Sequence, residues 1–78
     1  MRSLTMIADE IKQNWTPQVS PYAEPYRAAM ADCIRITDDY GADTASSVVA
    51  YFLANAGSWR GEAARRIKAE LKEMLKGA

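Results

Sequence analysis

The stretch Ser46–Ala56, "SSVVAYFLANA", is apolar nearly all round a helical circumference and carries no charge. A helix without a polar face is normally buried. Burying such a helix takes several companions, and a chain of 78 residues has room for few. A chain this short is one domain at most, and it buries only about 60–65% of the surface that its unfolded form exposes. The expectation is therefore a central third helix over residues 43–56, with Val48, Val49, Phe52, Leu53 and Ala56 inside. Asp43 or Thr44 is placed to cap it and Gly57 to stop it.

Three further segments show helical spacing, and no strand alternation of useful length or internal repeat competes with them. Over residues 4–15, Leu4, Ile7, Ile11 and Trp15 recur at steps of three and four behind a capping Ser3. The prolines of "TPQVSP" break that helix, because a residue before proline avoids helical angles. A second helix is expected from Pro21 or Pro25 to Tyr40. Its stripe is Tyr22, Tyr26, Ala29, Cys33, Ile36 and Tyr40, widened by Met30 and Ile34, and Gly41 is its left-handed stop. Tyr40 reads as a core edge; Tyr22 and Tyr26 read as either core edges or anchors. A fourth helix over 58–76 opens at Ser58. It turns Trp59, Ala63, Ile67, Leu71, Met74 and Leu75 inward and gathers Lys72 and Lys76 at its C-terminal end, where the helix dipole favours cations. The predicted fold is all-α: a compact, mostly antiparallel four-helix bundle in a single domain spanning 1–78.

Composition narrows the chemistry. There is no histidine and only one cysteine, Cys33, so a structural zinc site and an internal disulfide are excluded. Cys33 lies on an apolar stripe with no base near it in sequence, as a buried inert thiol does. "DDYGAD", Asp38–Asp43, lacks the regular spacing and closing Glu of a calcium loop. Gly57 and Gly61 do not form a phosphate loop. These absences point away from an enzyme and imply no cofactor and no metal. No apolar run approaches the roughly 18 residues of a membrane span. The N-terminal "MRSLTMIADE" reaches acidic residues before any long apolar block, unlike a secretory signal. The expected location is the cytoplasm.

Charge is balanced overall but divided along the chain. Seven acidic and four basic residues precede Gly57; six basic and three acidic residues follow it. The two halves either neutralise each other or leave a basic surface for a partner. The corner "NAGSWRGEAARR", Asn55–Arg66, is either an αα-corner held by a partly buried Trp59, or an exposed Trp59–Arg60 pair of the residue types enriched at interface hot spots. The candidate partner-binding residues are Trp59, Arg60, Arg65, Arg66, Lys68 and Lys72. A protein partner is the expectation, since opposite-sign surfaces, four tyrosines and two tryptophans suit steering and anchoring. The alternative is a helix-turn-helix-like nucleic-acid binder using the basic fourth helix, against which stand a pI of about 6.2 and the interrupting Glu62, Glu70 and Glu73. A domain this small can also pair with itself as a homodimer to hide leftover apolar surface. Asp32, Asp38 and Asp39 mark a second candidate surface.

Residues Leu53–Leu75, "LANAGSWRGEAARRIKAELKEML", resemble the C-terminal part of small uncharacterised helical accessory proteins of bacteriophages and other mobile elements. The resemblance covers only these residues and brings no functional residue with it. It implies an accessory protein that modulates or inhibits a protein of its bacterial host by contact, as anti-CRISPR inhibitors do.

Overall fold

The computed structural model describes residues 2–77. Helix α1 spans Leu4–Asn14 and α2 spans Glu24–Ala31. The two-residue strands β1, Asp39–Tyr40, and β2, Asp43–Thr44, form an antiparallel pair, and α3, Ala45–Ala54, and α4, Glu62–Lys76, follow.

The first helix forms as its spacing predicts. Ser3 accepts a hydrogen bond from the Met6 N–H, which satisfies one of the donors that a helix start leaves without a partner. Leu4, Ile7 and Ile11 are fully buried, and Trp15 closes the end of the helix as its C-cap.

The second helix is much shorter than expected. It ends at Ala31, with Asp32 as its C-cap. Residues 32–38 turn instead of continuing, and Asp38 explains why: its carboxylate accepts from the Ile34 and Arg35 N–H groups at 2.8 and 3.0 Å. Such local side-chain bonds offer the backbone an alternative to the helix ladder. The irregular segment in turn serves α1. The Ile34 carbonyl accepts from Leu4 N–H, and the Cys33 carbonyl accepts from the Thr5 hydroxyl. The stripe drawn through Ile34, Ile36 and Tyr40 is thus corrected: Ile34 and Tyr40 are exposed and Ile36 is half-buried.

Gly41 adopts a left-handed φ of 59° as expected, but as the first residue of a hairpin loop and not as a helix stop. Tyr40 pairs with Asp43, so the loop is Gly41–Ala42, and a glycine at the first of two loop positions is the mark of a type II′ turn. The fold is therefore mostly helical with a small hairpin, not all-α. Asp43 belongs to that hairpin, and Thr44 caps α3 by accepting from Ser47 N–H.

The helices do not wrap a central third member. α1 lies against α2 and α4, and α3 lies against the same two. Val48, Val49, Phe52 and Ala56 are buried, but Leu53 is only half-buried, and Ala50, Tyr51 and Ala54 face solvent. The fourth helix begins at Glu62, four residues later than expected, with Gly61 and not Ser58 at its N-cap. Ile67, Leu71 and Met74 are buried as expected, Ala63 and Leu75 are half-buried, and Ala64 joins the core.

Three aromatic rings tie these pieces together. Trp15 stacks on Trp59 with ring centroids 5.2 Å apart and planes 6° from parallel, and it meets Phe52 edge-on at 6.3 Å. Trp59 is 4% exposed and Phe52 fully buried. Truncating a large buried aromatic to alanine costs about 3–5 kcal/mol. A domain of this size has about 4–12 kcal/mol of total stability. Trp59→Ala is accordingly expected to remove about a quarter or more of the unfolding free energy measured by urea titration. Both tryptophans of the unaltered protein should resist acrylamide quenching until it unfolds.

Candidate interaction surface

The corner between α3 and α4 is built from the backbone outward. Asn55 caps α3 and donates from its side-chain amide to the Tyr51 carbonyl at 2.8 Å. Ala56 is fully buried, and its carbonyl accepts from Trp59 N–H at 3.0 Å, folding Gly57 and Ser58 into a turn. The indole of Trp59 enters the core against Trp15. Gly61 then takes a φ of 108°, a conformation that residues with a Cβ rarely adopt, and its carbonyl accepts the first hydrogen bond of α4 from Arg65 N–H. The connection, residues 55–61, is longer than the tight turn of three or four residues in a helix-turn-helix unit.

Lys68 reaches back from the second turn of α4 and donates from Nζ to the Trp59 carbonyl at 2.7 Å. Arg60, Arg65 and Lys68 rim a shallow depression of about 350 Å³ floored by Gly57, Trp59, Gly61 and Ala64. The field there is positive. Burial first, and then the neighbouring charges of Lys72 and Arg60, hold the Lys68 ammonium below its ordinary pKa. Arg60, Arg65 and Lys72 are exposed and form no salt bridge among the described residues.

Among the six candidate residues, Trp59 is inside, as the inward stripe and the αα-corner alternative have it, so no exposed Trp59–Arg60 pair exists. Arg66 is already engaged: it donates to Glu10 of α1 at 2.7 Å. Glu10 also accepts from Arg2, whose guanidinium holds Glu70 of α4 through two hydrogen bonds, at 3.1 and 2.6 Å. Arg2, Glu10, Arg66 and Glu70 thus form one ionic chain joining the start of the protein to α1 and α4. The division of charge along the sequence hinted that such pairing occurs. No local spacing marked these partners, which lie as far as 68 residues apart.

Arg27 is a further buried cation outside the sequence reading. It is 8% exposed, forked onto Glu24 by two bonds of 2.7 Å, and directed at the Ala8 carbonyl at 3.4 Å. The acidic residues divide similarly. Asp38 is committed to its own loop, which holds its carboxyl below the usual range, whereas Asp32 and Asp39 are exposed. Cys33 is 1% exposed, and burial raises its thiol pKa. Comparison with protein-family models, with curated proteins and with solved structures finds no match to this chain.

The ionic chain has a pH signature. Hydrogen bonds from Arg66 and Arg2 hold the Glu10 carboxyl below its ordinary 4.5. A carboxylate depressed in the folded state stabilises above its unfolded pKa, and that contribution is lost as pH falls through the folded value. At neutral pH Glu10→Gln should lose about 1 kcal/mol or less, the scale of solvent-accessible ion pairs. In urea titrations the gap between variant and unaltered protein should close as the pH falls below 4.5.

Proposed function

We propose that this protein is a non-catalytic binding module that docks a host protein on the cationic outer face of α4 and modulates or inhibits it. The observation that carries this reading is selective charge pairing. Arg2, Arg27 and Arg66 are each answered by a carboxylate within the chain, while on the outer side of the α3–α4 corner Arg60 and Arg65 stand exposed at the depression and Lys72 stands exposed further along α4, none of the three in a salt bridge among the described residues. A field left uncompensated on one face steers an oppositely charged partner and fixes its orientation. The resemblance of residues 53–75 to phage and mobile-element accessory proteins supports a partner in the bacterial cytoplasm. The nucleic-acid reading is weaker, because the long α3–α4 connection lacks the geometry that motivated it.

The experiment reverses Arg60 and Arg65 to Glu together and leaves Arg66 in place, since Arg66 holds Glu10. With helicity unchanged by circular dichroism, capture of a host protein should fall at least about tenfold and the residual binding should lose its salt dependence. Undiminished capture rejects the surface. Salt-sensitive binding of random duplex DNA by the unaltered protein would move the function to the nucleic-acid class.

A further inference from the structure

Among the described residues, three cations are withdrawn from full exposure to solvent: Arg2, Arg27 and Lys68. Taking a cation out of water costs free energy that an opposite charge ordinarily offsets. Arg2 has Glu10 and Glu70 for this, and Arg27 is forked onto Glu24. Lys68 has no carboxylate. Its hydrogen-bond partner is the neutral Trp59 carbonyl, and no acidic residue lines the depression that it shares with Arg60 and Arg65. Burial, and then the charges of Lys72 and Arg60, press against its protonated form. The chain supplies the opposite charge for its other two sheltered cations; here it sets cation beside cation.

We infer that the missing charge comes from the partner: the depression receives an acidic side chain, Asp or Glu, of the docked protein, which Lys68 holds with the Arg60 and Arg65 guanidiniums beside it. The inference rests on the docking proposed above and names the group that the partner presents. Guanidinium forks match carboxylate geometry, and an ammonium carries more donors than the one that the Trp59 carbonyl takes. That carbonyl belongs to a residue whose ring is fixed in the core, so Lys68 is held in place before a ligand arrives. A side chain already ordered loses little freedom on binding. The surroundings favour a single acidic side chain over nucleic acid. A duplex presents a continuous row of phosphates. Glu62 and Glu73 stand exposed among the cations of α4 and repel such a row, whereas one carboxylate meets only the depression.

Nuclear magnetic resonance titration at low ionic strength reads the Lys68 side chain directly, with no variant needed. The probes are a short capped peptide with paired glutamates, the same peptide with glutamines, and a random DNA duplex. The glutamate peptide should shift the Lys68 Cε resonance saturably and raise the ammonium's pKa toward its ordinary 10.5, because a nearby carboxylate favours the charged form. The glutamine peptide should leave both unmoved. Lys68→Met, with unchanged circular dichroism, should weaken the glutamate peptide and host-protein capture at least about tenfold. A Lys68 resonance that ignores the glutamate peptide, or answers the glutamines equally, overturns the inference. So does a response to the duplex alone, which assigns the depression to phosphates. Host capture that falls when Arg60 and Arg65 are reversed, yet survives Lys68→Met in full, also overturns it and leaves the docking reading standing.

Discussion

The Trp15–Trp59 stack is the contact on which the rest of the architecture depends. One ring ends α1, the other sits in the connection that precedes α4, and Phe52 brings α3 against them. A small core gains much of its stability from a few large side chains. Here three aromatics join elements that would otherwise meet only through smaller residues. Trp59 also sets the course of the chain outside the core. With its indole held inside, its carbonyl receives Lys68, and the backbone must turn through Gly61 before α4 can start.

The same arrangement explains what could be read from sequence. Regular stripes on long helices were legible: Leu4, Ile7, Ile11 and Trp15 in α1, and Ile67, Leu71 and Met74 in α4, are buried as their spacing requires. The second stripe failed because its spacing past Ala31 is coincidental. Cys33 and Ile36 keep helical intervals, but Asp38 takes the N–H groups of residues 34 and 35, and Gly41 serves a hairpin. Isoleucine, threonine and aspartate are also modest helix formers, so little intrinsic preference opposed the turn. The third helix misled for another reason. Its lack of charge implied burial on every side, whereas its neighbours α2 and α4 cover only part of it.

The candidate site was legible as composition but not as geometry. The basic character of residues 60–76 is plain in the sequence, but which cations are already answered depends on tertiary partners. Arg66 and Arg65 are adjacent in the chain; one holds Glu10 and the other is unpaired among the described residues. Neighbours in sequence on a helix point about 100° apart, so they meet different surroundings. Their sequence context does not distinguish the two. The structure separates the residue that fastens α4 to α1 from the one that faces outward.

At the α3–α4 corner, backbone course and surface potential are encoded by different residues. Gly61 fixes the path through a torsion that other residues rarely take, and Trp59 fixes it through the core. Arg60, Arg65 and Lys72 contribute to neither. Descendants of this sequence can therefore exchange those three cations, and with them the kind of molecule the corner attracts, without relearning how to fold. Drift at Gly61 or Trp59 has no such freedom. Selection on recognition and selection on foldability act here on separate letters of the same short word.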